Sequence, residues 1–145
     1  MTVLHTTFTL ERDYPCTPER VFAAWADPAT KARWFTALTG EHRLDFRVGG
    51  TESVLAPAIE DRPALRFEAV YHDIVPNERI VYTGVLYQEA VPATVSLTTV
   101  QLAPTEAGTR LLLTEQGTFL DDLEQPRWRE QGTGDQLKAL AAELS

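Results

Sequence analysis

The sequence contains one cysteine, three histidines and no long hydrophobic run, and these shortages exclude several classes of protein. A lone thiol, Cys16, cannot form an internal disulfide or supply a cysteine-based metal site. The histidines, His5, His42 and His72, lack the spacing of metal ligands. No stretch approaches the ~20 apolar residues of a membrane-spanning helix, and residues 1–14 lack the pattern of a secretory signal. We therefore expect a cytoplasmic protein with no metal, no cofactor and no membrane span.

Basic residues are also scarce. The chain has 13 lysines and arginines against 21 aspartates and glutamates, a formal net charge of -8. Such a field repels nucleic acid, and no basic stripe offsets it, so we expect no nucleic-acid partner. No nucleophile-elbow, phosphate-loop or dinucleotide-binding motif is present. With 145 residues and 43% hydrophobic content, the chain is expected to form a single domain over 1–145 with a substantial core.

Two consecutive proline-marked helix starts stand out near the N-terminus. Thr17-Pro18 pairs a favourable N-cap with a proline at the first helical position, and Asp27-Pro28 repeats this signal. The first helix must end at Asp27, since a residue before proline avoids the helical conformation. The sequence thus predicts two short helices, each with one large aromatic residue, Trp25 and Trp34.

The rest of the chain changes to the alternating pattern of β-strands. One strand is predicted before the helices, over 6–14, and six follow them, over 42–48, 51–58, 64–76, 79–89, 93–104 and 109–119. Short connections favour an antiparallel meander, and Gly49-Gly50 is typical of a two-residue hairpin turn. The closing segment, 121–145, spaces apolar residues as a long amphipathic helix does.

These elements can bury their apolar faces in few ways. We expect an α+β fold in which a curved antiparallel sheet of six to seven strands wraps around the C-terminal helix, with the two short helices closing one end. Gly132 and Gly134 lie inside that helix, where each costs ~1 kcal/mol relative to alanine. Gly132 lies one turn from Trp128 and Gln136, so it indicates either a gap on that face or close packing of helix on sheet.

Side-chain alternation places polar groups on the expected inner face of the sheet. The sets that share a face are Phe67, Ala69 and Tyr71; Ile80, Tyr82, Gly84 and Leu86; and Leu111, Leu113 and Glu115. If these sets point inward, two tyrosine hydroxyls and one carboxylate face the helix. An apolar hollow with a few convergent polar groups is the usual anatomy of a small-molecule site.

Four segments carry a resemblance to a known family: "TPERVFAAWADPATKARWF", "LDFRVGGTES", "GTRLLLTEQGTFLDD" and "REQGTGDQLKALAAEL". They resemble the START-like helix-grip (SRPBCC) superfamily, in the branch of bacterial proteins similar to the C-terminal domain of the heat-shock-protein-90 ATPase activator. The resemblance covers nearly the whole chain and implies a deep hydrophobic pocket between the last helix and the sheet. That branch often carries tryptophan after the helix glycine, whereas this chain has Thr133, which implies a roomier or more polar pocket.

From these patterns we expect a small hydrophobic or aromatic ligand and ten residues around it: Trp34, Phe46, Phe67, Tyr71, Tyr82, Glu115, Phe119, Trp128, Gly132 and Gln136. Two other functions stay open, a polyketide-cyclase-like or hydrolase-like enzyme and a chaperone or protein-interaction module. Glu115 is the weak catalytic candidate if burial raises its pKa. Its alternative is a carboxylate near the rim, paired with Arg127, Arg129 or water.

Three structural outcomes separate these functions. A deeply buried Glu115 beside an open cavity would favour the enzyme, and a wide cavity without an inward titratable group would favour binding. A filled interior with a large exposed apolar patch would favour the interaction module. Either a monomer or a homodimer is compatible with the predicted edge strands.

Overall fold

A computed structural model describes residues 2–36 and 40–145 of the chain. Its elements are β1 (Val3–Tyr14), α1 (Pro18–Ala26), α2 (Pro28–Phe35), β2 (Glu41–Leu44), β3 (Thr51–Ala56), β4 (Leu65–Val75), β5 (Arg79–Gln88), β6 (Val91–Thr105), β7 (Gly108–Leu120) and α3 (Pro126–Leu144). Across these residues, seven strands form one antiparallel sheet in the order β1-β7-β6-β5-β4-β3-β2. The predicted α+β class, with a curved meander sheet and two short helices after the first strand, is confirmed.

The two short helices begin where the sequence predicts. The Thr17 side chain accepts a hydrogen bond from the Arg20 amide at 3.3 Å, which caps α1. The Asp27 side chain accepts one from the Thr30 amide at 2.9 Å, which caps α2. Asp27 therefore ends one helix and begins the next, and the corner between them needs no further residues.

The two tryptophans join α1 to α2. Trp25 and Trp34 meet edge to face with ring centroids 4.8 Å apart, and both are almost fully buried. The Trp34 indole N–H donates to the Ala24 carbonyl at 2.9 Å. The spacing of nine residues in sequence thus produces one aromatic pair at the end of the sheet.

The long helix α3 lies against the concave face of the sheet. Its buried side is formed by Thr133, Leu137, Leu140 and Leu144. Tyr14, at the end of β1, donates from its hydroxyl to the Leu137 carbonyl at 3.1 Å. This stripe joins the main hydrophobic core, which contains the inward residues of β4, β5, β6 and β7.

The prediction of a two-residue hairpin at Gly49-Gly50 is wrong. The strands are shorter than predicted, and residues 45–50 form the connection between β2 and β3. The reason is that Gly49 donates its amide to the Tyr71 carbonyl at 2.8 Å, and Gly50 accepts from the Tyr71 amide at 3.0 Å. The glycines therefore pair with β4 instead of closing a tight turn, and Gly49 has a left-handed backbone with φ of 83°.

The C-terminal helix also begins later than the predicted segment. It begins at Pro126, which occupies the first helical position, and Gln125 before it is extended. Asp121 and Asp122 have left-handed backbones with φ of 55°, so the chain turns here between β7 and α3.

Candidate functional site

A cavity of about 470 Å³ lies between α3 and the sheet. Its walls come from α1, α2, β3, β4, β5, β7 and α3, and they are mainly aromatic and aliphatic. A volume of this size falls within the range of small-molecule sites in proteins. Helix α2 contributes Trp34 and Phe35 at its end, so the two short helices form part of the wall.

Seven of the ten predicted residues line this cavity: Trp34, Phe67, Tyr82, Glu115, Trp128, Gly132 and Gln136. A side-chain Cβ at Gly132 would have no atom within 4 Å, so this glycine leaves a gap rather than permitting close packing. Thr133 also lines the cavity, and its hydroxyl donates to the Arg129 carbonyl within the helix at 2.9 Å. The part that these residues play in binding stays a prediction.

The other three predicted residues do not line the cavity. Phe46 packs edge-on against Tyr71, with centroids 5.1 Å apart. The Tyr71 hydroxyl donates to Glu52 at 2.7 Å. Phe119 is buried, and its ring lies over Gly117 on the same strand. Strand parity correctly placed Tyr71 inside, and Phe119 is buried as well, but parity does not show which inward side chains reach the hollow.

One end of the cavity is polar and is organised by Arg129. The Arg129 guanidinium donates to Glu115 at 3.1 Å and to both oxygens of Glu124 at 3.0 and 3.2 Å. Thr98 donates to the other oxygen of Glu115 at 2.9 Å. Burial opposes the charge of Arg129, but the two carboxylates raise its pKa. The predicted alternative in which Glu115 pairs with Arg129 is correct, although Glu115 is 6% exposed rather than at the rim.

Tyr82 lies between this polar end and the core. Burial raises the pKa of Tyr82, and the carboxylates of Glu115 and Glu52 raise it further. Its hydroxyl therefore keeps its proton at neutral pH and can act as a hydrogen-bond donor.

A second buried polar cluster, which the sequence analysis missed, joins α2 to the edge of the sheet. The Lys31 ammonium lies 2.7 Å from Glu52 Oε1 and 3.0 Å from the Tyr71 hydroxyl. His42 Nε2 lies 2.8 Å from Glu52 Oε2. The side chains of Lys31 and Glu52 are both 0% exposed, so this ion pair is sealed from water.

Aromatic rings surround the Lys31 ammonium. It lies 4.2 Å from the ring centroid of Phe35 and 5.2 Å from that of Trp25, within the range of cation–π attraction. Burial lowers the pKa of Lys31, and the Glu52 carboxylate opposes that change. Both rings also line the cavity, so the cluster lies directly behind its wall.

The sequence did contain a signal for this cluster. Lys31 lies three and four residues before Trp34 and Phe35, on the apolar side of α2, and Glu52 lies two residues before the cavity residue Val54. Opposite charges on the apolar side of α2 and on the inner face of β3 would together predict a buried ion pair between Lys31 and Glu52.

Within residues 2–36 and 40–145, no group of three or more histidine, cysteine, aspartate or glutamate side chains is placed to hold a metal ion. Of the helices in the same ranges, none combines the length and the apolar character that crossing a bilayer requires.

Comparison with known proteins finds one family model and several close solved structures. The model described as "Activator of Hsp90 ATPase homolog 1-like protein" matches residues 15–145. The crystal structure of Mll3558 from Rhizobium loti is 46% identical with a TM-score of 0.91, and the match covers 99% of this chain and 100% of that one. An uncharacterized protein from Rhizobium leguminosarum is 36% identical with a TM-score of 0.93, covering 99% and 96%.

A third structure, protein CV1439 from Chromobacterium violaceum, is 31% identical with a TM-score of 0.79, covering 95% of this chain and 96% of that one. No curated protein sequence matches this chain significantly. These three structures share with this chain both the fold and a substantial part of the sequence, over nearly the whole length of each protein.

Proposed function

This chain belongs to the Activator of Hsp90 ATPase homolog 1-like family, within the SRPBCC helix-grip superfamily, and we propose that it binds a small, mostly apolar molecule between α3 and the sheet. The observation that carries the proposal is the cavity of about 470 Å³. Transfer of apolar ligand surface from water into such a hollow provides the binding free energy. The polar end around Arg129 then orients the ligand.

The walls supply flat aromatic surfaces on three sides. Trp34 contributes from α2, Phe67 from β4 and Trp128 from α3. Trp128 is 55% exposed while it lines the cavity, so it marks the mouth. A bound ligand would cover this exposed indole, which makes Trp128 fluorescence a natural reporter of occupancy.

An enzyme that uses Glu115 is the second candidate, because this carboxylate is buried and lines the cavity. A general base needs a lone pair directed at the substrate and freedom to take up a proton. Here Arg129 and Thr98 already hold Glu115 as a carboxylate acceptor. We therefore rank binding first. The unfilled interior is the opposite of what we expect of a module that works through its surface alone.

A cavity-filling variant tests the proposal. N-Phenyl-1-naphthylamine, a neutral probe that brightens in apolar surroundings, is titrated into the wild type, Thr133→Trp and Thr133→Val. Thr133 is 8% exposed and lines the cavity, so tryptophan there takes up ligand space while valine keeps the volume. We expect wild type and valine variant to bind alike, and the tryptophan variant to bind more weakly by roughly tenfold or more.

Two controls keep this test decisive. Circular dichroism and thermal unfolding check that Thr133→Trp is folded. If this variant does not fold, Gly132→Phe takes its place, because a Cβ at position 132 meets no atom within 4 Å. Equal binding by a folded, filled variant and the wild type would contradict the proposed site. Recovery of the probe as an altered product, detected by mass spectrometry, would favour the enzyme instead.

A further inference from the structure

The buried charges at the polar end of the cavity do not cancel. Glu115 and Glu124 carry two negative charges and Arg129 carries one positive charge, with side-chain exposures of 7%, 15% and 11%. Because these groups are largely shielded from water, their net charge of one negative unit acts strongly on anything bound beside them.

Arg129 has little capacity left to attract an anion. Its four hydrogen bonds, to Glu115, Ser96 and both oxygens of Glu124, occupy four of the five donors of a guanidinium. A ligand carboxylate or sulfonate that approached Arg129 would displace a buried protein carboxylate or lie beside it, and like charges at that range repel.

The remaining cations near the cavity are also paired. Arg33 lines the cavity, but it donates to Glu143 at 2.8 Å and is 58% exposed. Lys31 lies behind the aromatic wall and is bound to Glu52. In the part of the chain that the structure describes, every lysine or arginine that lines or backs the cavity already has a carboxylate partner. Asp135 adds another negative side chain to the lining.

We propose that this cavity takes uncharged or cationic ligands and rejects otherwise identical ligands that carry a carboxylate, sulfonate or phosphate. The inference rests on the proposed function, since it concerns the same cavity. An anionic ligand would lose its hydration on entry and gain no free cation in return, which makes its burial unfavourable. A neutral ligand has no charge to desolvate, and the excess negative charge at the polar end offsets the hydration that a cationic ligand loses.

A matched pair of probes tests the charge rule. N-Phenyl-1-naphthylamine and 8-anilino-1-naphthalenesulfonate share one anilinonaphthalene body and differ by the sulfonate. Each is titrated into the wild type and into Thr133→Trp, so that only binding lost on filling the cavity is counted. We expect the neutral probe to bind the cavity more tightly by roughly tenfold or more.

A charge-neutralising variant assigns the effect to the polar end. Glu115→Gln keeps the shape and can still accept from Thr98, but it removes the excess negative charge. We expect the preference for the neutral probe to shrink several-fold. The control, Glu68→Gln, removes the same charge from a β4 side chain that is 50% exposed and does not line the cavity, and it should leave the preference unchanged.

The outcomes are distinguishable. Comparable affinity for the two probes in the wild type, or a preference for the sulfonate, overturns the charge rule and leaves the proposed function standing. An equal loss of preference in Glu68→Gln and Glu115→Gln also overturns it, because net charge would then explain the result. If neither probe binds the wild-type cavity, the proposed function fails and the charge rule fails with it.

Discussion

Replacing Lys31 by methionine should destabilise this protein more than most single substitutions. The Lys31 and Glu52 side chains are both 0% exposed and 2.7 Å apart. Methionine fills a similar volume but leaves the Glu52 carboxylate buried without its cation. Removing one partner of a buried ion pair costs about 3–5 kcal/mol, against a total stability of roughly 5–15 kcal/mol. Urea unfolding at pH 7, followed by circular dichroism, measures the change.

A double-mutant cycle separates the ion pair from simple loss of packing. Glu52→Gln alone leaves the ammonium buried without its anion, whereas Lys31→Met with Glu52→Gln leaves no unpaired charge. The double variant should therefore lose less than the sum of the single losses, by about 2 kcal/mol or more. The control is Arg33→Met on the same helix, whose partner is Glu143; because Arg33 is 58% exposed, its loss should be barely measurable.

The same cluster predicts how stability falls in acid. Burial would raise the pKa of Glu52, but Lys31 and hydrogen bonds from His42 and Tyr71 outweigh it and lower the pKa from 4.5 to about 2. A depressed folded-state pKa contributes stability above pH 4.5 that is lost as the pH falls towards 2. The loss is about 3 kcal/mol, from 1.36 kcal/mol for each pKa unit. In Lys31→Met this acid-dependent loss should be much smaller.

Two results would refute this reasoning. One is strict additivity in the cycle, which would mean that Lys31 and Glu52 do not interact across the buried contact. The other is a free energy of unfolding that falls as steeply with decreasing pH in Lys31→Met as in the wild type. The Lys31 ammonium would then have no part in keeping Glu52 ionised.

Two more substitutions test local features by thermal and urea unfolding. Gly132→Ala should raise the free energy of unfolding by about 1 kcal/mol, because the new Cβ meets no atom within 4 Å and alanine favours a helix. Gly84→Ala should lower the free energy of unfolding, because the new Cβ would lie 2.5 Å from the Phe67 ring. An increase in both would refute the assigned packing. Thr17→Ala should cost about 1 kcal/mol by removing the bond from the Arg20 amide, and Thr17→Ser should restore it.

Local signals in the sequence predicted most of the fold. Thr17-Pro18 and Asp27-Pro28 marked both short helices, because capping and proline geometry act between near neighbours. Alternation also placed Phe67 and Glu115 on the inner face, where both line the cavity. The Gly49-Gly50 turn was wrong because the partner of these glycines, Tyr71, is about twenty residues away in sequence, and no local pattern reveals that pairing.

The cavity and the buried cluster depend on tertiary register. Phe119 has the inward parity, yet its ring lies over Gly117, and only the packed structure shows that it misses the hollow. Lys31 reaches Glu52 only because the packing of α2 on the sheet brings Lys31 next to β3, where Glu52 lies. A lone lysine in a short helix usually reaches water, so its burial becomes predictable only together with its partner.

The most direct test of the ligand site is native mass spectrometry of freshly purified wild type and folded Thr133→Trp, each compared with its denatured mass. The account predicts that the wild type carries a small molecule, co-purified or added as excess N-phenyl-1-naphthylamine, that is released on denaturation. Thr133→Trp should carry little or none of it, because its side chain occupies the cavity. The same bound mass in equal amount on both proteins, or none on the wild type even with excess probe, would contradict the claim that this cavity binds ligands.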